Sequence, residues 1–228
     1  MKKDDEIIQR RSLMTGVGAA ALAGLVAGGM PATASAQSGN AGFTPARHDE
    51  DAWFDVPGVT HRVFIDSASA QGGQDALRFA FNIMNAHQAA YAGSDADYAM
   101  VVCYRHASTP FGYGDALWEK YGELLNRRMN LTDPATNATP VRNINNISGG
   151  PFSGATIDAM VARGVRFAIC AMATRGMAGL IAGETGQQTD AVFNEIVAGA
   201  IPNARFVPAG VMGATRAQEY GYSLLSAG

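Results

Sequence analysis

The chain is short of charge and nearly bare of the residues that announce common chemistries. Charged residues make up 16% of its 228 positions, and beyond residue 36 a single lysine remains, Lys120. The first 36 residues hold 4 of the 17 Lys+Arg and 3 of the 20 Asp+Glu, which leaves 13 against 17 in the rest. A mildly acidic chain without a basic stripe is poorly suited to nucleic acid or to an anionic membrane surface. Neither a GxGxxG nor a GxxxxGK[ST] pattern occurs, and Gly72-Gly73 stands alone, so a glycine-rich phosphate loop is disfavoured. A GxSxG nucleophile elbow is missing too, which speaks against serine hydrolysis. Only two cysteines are present, Cys103 and Cys170, with no CxxC pair for dithiol redox chemistry. Of the four histidines, His48, His61 and His87 show no ligand spacing. His106 with a cysteine falls short of the ligand count of a zinc site. No metal and no other cofactor is expected.

What the chain does have begins with an export segment. A polar stretch ends in Gln9-Arg10-Arg11-Ser12-Leu13-Met14, a Gly/Ala-rich apolar run follows from Thr15 to Gly29, and Pro31 precedes Ala34-Ser35-Ala36. Paired arginines ahead of a weakly hydrophobic run are the twin-arginine signature, and the small residues suit a signal peptidase. Residues 1–36 therefore read as a twin-arginine signal peptide, with an ordinary secretory signal or an uncleaved anchor as the alternatives. The expectation is an exported, periplasmic protein with no membrane attachment after cleavage. No cysteine follows the apolar run, so a lipid anchor is excluded.

From Gln37 to Thr60 the chain is polar and reads as a flexible arm, with Trp53-Phe54 available to dock. Residues 61–228 read as one domain, in which short apolar runs alternate with helical stretches. Strands are expected at residues 62–66, 98–104, 165–169, 205–208 and 222–225. The run Tyr98-Ala99-Met100-Val101-Val102-Cys103-Tyr104 is continuous, as in a strand buried on both faces. Helices are expected at 74–91, 115–125, 157–162, 173–181, 189–198 and 215–220. Residues 127–150, rich in Asn, Thr and Gly, read as a surface insertion. Strands alternating with helices imply an α/β domain around a mostly parallel sheet of about five strands.

In such a sheet, ligands gather beyond the carboxyl ends of the strands. Four segments should line that edge: Asp66-Ser67-Ala68, Arg105-His106-Ala107-Ser108, Cys170-Ala171-Met172 and Ala209-Gly210-Val211. Cys170 stands where a strand hands over to a helix, and the positive end of a helix dipole favours a thiolate. Arg105 or His106 nearby would add to that effect. The competing reading makes Cys170 a small buried hydrophobe. Cys103 lies inside the apolar run and reads as core, which disfavours a Cys103–Cys170 disulfide. His106 either orients a substrate or only bonds a neighbouring loop.

Several pieces carry a resemblance. Val101-Val102-Cys103-Tyr104-Arg105-His106-Ala107 precedes Asp115-Ala116-Leu117-Trp118. Gly164-Val165-Arg166-Phe167-Ala168-Ile169-Cys170 follows, and then Val207-Pro208-Ala209-Gly210-Val211 with Ala217-Gln218-Glu219-Tyr220-Gly221-Tyr222. Together, from about His61 onward, they resemble the DsrE/DsrF-like proteins, in particular the exported branch that carries twin-arginine signals. The resemblance implies a flavodoxin-like three-layer fold that assembles into homo-oligomers, trimers or hexamers. It also implies a sulfur-relay role, in which a cysteine carries a persulfide between a sulfur donor and an acceptor, each a protein or a small sulfur compound. Cys170 matches the cysteine after the family's third strand, and His106 the histidine after its second. On this reading Cys170 accepts sulfur, Arg105 and His106 shape its charge, and Asp66 positions His106. The alternative is a non-catalytic domain of the same fold that binds a small ligand or serves in assembly.

Overall fold

The structure, a computed structural model, describes residues 44–147 and 154–228. The export segment, residues 37–43 of the arm and residues 148–150 of the expected insertion lie outside the described residues. Pro45–Gly228 form one compact unit.

Five parallel strands make one sheet: β1 (His61–Ser67), β2 (Tyr98–Tyr104), β3 (Arg166–Cys170), β4 (Ala204–Val207) and β5 (Ser223–Ala227), in the order β4-β3-β2-β1-β5. Among the described residues the helices are α1 (Ala70–Tyr91), α2 (Asp115–Asn126), α3 (Ile157–Ala162), α4 (Ala171–Thr185), α5 (Thr189–Ala198) and α6 (Gly210–Glu219). Alternate strand residues feed two apolar layers, as the period of two requires. Ile65, Met100, Val102, Tyr104, Phe167 and Ile169 pack under α1 to α5. Phe64, Ala99, Val101, Cys103, Ala168 and Val207 pack on the other side against Ala214 and Ala217 of α6 and against Phe54. The domain is thus the expected α/β class, a flavodoxin-like three-layer sandwich around a five-stranded parallel sheet.

Where the structure departs from the sequence pattern, close packing explains it. Helix α1 was expected from Gln74 but starts at Ala70, with Ser69 Oγ accepting the Gly72 amide at 2.9 Å as its cap. Gly72-Gly73 therefore lies inside the first turn. The pair serves contact rather than flexibility: a Cβ on Gly72 would sit 2.1 Å from the Ala227 carbonyl oxygen, and one on Gly73 2.4 Å from the Phe111 ring. Helix α6 begins at Gly210, five residues before the expected start.

The asparagine-rich segment is not a loose surface insertion where it is described. Asn143 is 1% exposed and donates to the carbonyls of Phe111 and Tyr113, and Asn145 donates to the Gly73 carbonyl. Buried carboxamides with full partners replace backbone pairing that these irregular stretches cannot make for themselves.

Residues 46–56 are likewise tied down. Arginines reach up to their backbone carbonyls: Arg216 to Ala46, Arg205 to Glu50, Arg166 to Trp53 and Arg62 to Val56. Phe54, with no exposed surface, closes the α6 face of the sheet beside Phe64, Tyr220 and Tyr222. Polar composition suggested a flexible arm, whereas these charge-assisted bonds and one buried ring fix the described part of it. No helix among the described residues is long and apolar enough to cross a membrane.

Candidate functional site

The strand pleat decides which side chains meet at the carboxyl edge. Phe64, Cys103 and Ala168 face α6, so two residues on, Asp66 and Cys170 project to that same side. Arg105 follows β2 and folds back onto Asp66 in a two-pronged ion pair, Nε to Oδ1 at 2.8 Å and Nη2 to Oδ2 at 2.7 Å. Both side chains are largely buried, at 20% and 12% exposed. Hydrogen bonds that Arg105 donates to the Asp66 carboxylate hold the guanidinium above its ordinary pKa, against the opposing cost of burial.

Arg105 Nη1 lies 3.1 Å from His106 Nδ1. A guanidinium can only donate, so Nδ1 accepts and the ring proton sits on Nε2, which makes His106 neutral in this arrangement. His106 is exposed and has a left-handed backbone (φ 53°), one of the few non-glycine residues here that do. Asp66 bonds Arg105 and Arg105 in turn reaches His106, so the carboxylate meets the guanidinium and not the imidazole. The trio carries no net charge.

Two features of this corner had no signal in the sequence beyond their place at the sheet edge. Ser67 and Ser108 are buried, with Ser67 Oγ donating to the Cys103 carbonyl at 2.7 Å and Ser108 Oγ accepting the Arg105 amide at 2.9 Å. They join the ends of β1 and β2 and so fix where Arg105 turns. Gly210 is the other: a Cβ there would lie 2.6 Å from Arg105 Cβ and 3.0 Å from its Cδ. The first residue of α6 must be glycine for Arg105 to take its place.

Cys170 caps α4. Its Sγ accepts the Ala173 amide at 3.4 Å, the geometry of a side-chain N-cap with sulfur in place of oxygen. The sulfur thus faces the amino end of α4, and Arg105, the cation of this corner, is already paired with Asp66. Cys170 is also less open than expected, with 6% of its surface exposed. Access requires the surrounding side chains to move.

Cys103 is fully buried, 4.0 Å from the Gly210 carbonyl oxygen. Burial pushes its thiol well above the ordinary pKa, the nearby Asp66 charge adds to this, and Arg105 only partly offsets it. Both cysteines are free. Cys103 pairs with Ala168 across the sheet, so Cys170 stands two residues further along. That stagger, combined with strand spacing, separates the two Cα atoms by roughly 8 Å, beyond the reach of roughly 7 Å that a disulfide tolerates. Under native conditions Cys103 should resist iodoacetamide and become reactive only on unfolding, a result that peptide mass mapping would check. Native labelling of Cys103 at the rate of a free thiol would contradict its placement.

The remaining histidines lie elsewhere. His87 Nε2 is 3.2 Å from Asp97 Oδ2, and His61 stacks on Tyr98 at the amino end of the sheet. Among the described residues no group of three or more His, Cys, Asp and Glu could hold a metal ion.

Comparison with known proteins returns no match, whether to protein-family models, to curated proteins or to solved structures.

Proposed function

We propose that the domain is a DsrE-like sulfur carrier, with Cys170 accepting sulfane sulfur as a persulfide and passing it to an acceptor. The observation that carries this reading is the Cys170 Sγ at the amino end of α4, bonded to the Ala173 amide. A persulfide carries its negative charge on the outer sulfur, about 2 Å beyond Sγ, and a helix amino end suits an anion there. The Asp66–Arg105–His106 chain is read as the fixed wall of the site, and the chemistry as sulfurtransferase-like. The twin-arginine pattern of residues 9–14 supports a periplasmic setting, where the carrier would meet its donor and acceptor. Self-association into trimers or hexamers belongs to the same proposal, and the edge strand β5, with Leu224 41% and Leu225 39% exposed, leaves apolar surface for it.

The test is intact-protein mass spectrometry after incubation with inorganic polysulfide. A gain of one sulfur atom that vanishes in Cys170→Ser is expected, and no gain in the parent protein would remove the carrier reading.

One observation favours a second reading. With 6% exposure Cys170 is nearly enclosed, as in a ligand-binding or assembly domain whose cysteine is only packing. That reading predicts alkylation of Cys170 in the folded protein far slower than that of a free thiol. The carrier reading predicts alkylation of Cys170 in the folded protein at a rate comparable to that of a free thiol.

A further inference from the structure

We infer that the sulfur donor suited to Cys170 is uncharged and apolar, elemental sulfur in its ring form being the simplest member, and not an oxyanion such as thiosulfate. The inference rests on the carrier reading and adds the class of substrate to it. Two independent features point the same way.

The first is charge. A dianion entering this corner would leave water, a cost that the amino end of α4 offsets only in part and that a free cation would have to make up. Among the described residues Arg105 holds Asp66 in a two-pronged pair and gives Nη1 to a neutral His106. The other arginines on the helices that start at this rim are also paired, Arg78 of α1 with Asp75, Arg175 of α4 with Asp190, and Arg216 of α6 with Asp51 and Glu219. An anion would have to displace a carboxylate before it met a charge.

The second is the lip. The opening turns of α4 and α6, which follow neighbouring strands, carry Met172 at 70%, Val211 at 54% and Met212 at 51% exposure. Large apolar side chains this open, on the helix turns that follow the paired strand ends Cys170 and Val207, lower the cost of bringing in an apolar guest. Thioethers are also soft and polarizable partners for sulfur.

The loading step balances without a further oxidant. The Cys170 thiolate attacks one sulfur of the S8 ring, one S–S bond forms, one ring S–S bond breaks, and the electron pair ends on the far sulfur as a terminal polysulfide anion. Shorter chains follow as terminal sulfur leaves to an acceptor thiol. With thiosulfate the same attack would release sulfite.

The experiment measures loading rates of the full-length protein with dissolved S8 and with thiosulfate by intact mass. Each rate is divided by that of N-acetylcysteine with the same donor, and polysulfide serves as the loading control. The expected result is a normalised preference for S8 of about tenfold or more. In the triple variant Met172→Gln, Val211→Ser, Met212→Gln, all at exposed positions, S8 loading should fall while thiosulfate loading stays unchanged. A normalised ratio at or below one with polysulfide still loading Cys170 would overturn the inference and leave the carrier reading standing. An equal fall with both donors in the triple variant would overturn it as well. Failure of all three donors would instead remove the carrier reading itself, and this inference with it.

Discussion

Replacing Gly72 by alanine should lower the melting temperature by about 6–12 °C, the shift that about 3 kcal/mol produces in a domain of this size. The added Cβ would stand 2.1 Å from the Ala227 carbonyl oxygen and 2.9 Å from its carbonyl carbon. Both are backbone atoms of β5, so no side chain can swing away to relieve the clash. Alanine is the better helix former at an open helix position, which makes the sign of the result informative. If propensity won, the variant would be more stable. The clash wins because β5 pairs with β1 from Val63 to Ser67 and cannot retreat without breaking that ladder. Hydrogen exchange should show the loss first in β5. An unchanged melting curve would mean that β5 does not press on α1 as described.

Removing the Asp66 carboxylate as Asp66→Ala should cost about 3 kcal/mol, the low end for breaking a buried ion pair, since both side chains keep some exposure. The loss comes mainly from what is left behind: Arg105, 20% exposed, with its Nε and Nη2 facing an empty space. The double variant Asp66→Ala with Arg105→Ala should therefore recover part of the stability lost in the single one. Chemical denaturation of the four proteins completes the cycle. If the double variant is as unstable as the sum of the two singles, the pair is not a coupled unit. The same variant bears on function, because among the described residues it is Arg105 Nη1 that bonds His106.

Much of the framework could be read from the chain because it depends on local pattern. The apolar run at 98–104 gives β2 to the residue, and α3 and α5 occupy the stretches their periodicity indicates. What could not be read is set by contacts distant in sequence. Gly72-Gly73 looks like a helix breaker until β5 and Phe111 are in place against it. Asn143 and Asn145 carry the composition of a surface loop, yet they are buried because the carbonyls of Phe111, Tyr113 and Gly73 need donors. At the candidate site, Asp66, Arg105 and Cys170 fall at the sheet edge because strand ends are predictable. Their pairing is not, since it depends on side-chain reach across β1 and β2. The 6% exposure of Cys170 is set by tertiary packing, which no local pattern encodes.

The row of arginine grips on residues 46–56 has a consequence for how the domain can be handled. Phe54 is the plug of the second apolar layer; it ends a short 3-10 helix, Asp49–Phe54, and cations borne on β1, β3, β4 and α6 hold that segment in place. A polypeptide begun at His61 would leave four guanidinium groups short of acceptors, with Arg62, Arg166 and Arg216 keeping only Tyr220, Tyr222 and Glu219, and a greasy trough along Phe64 and Val101. The smallest autonomous folding piece therefore starts upstream of the first strand, near Pro45, and any fusion or tag joined closer than that would be competing with the stopper for its socket.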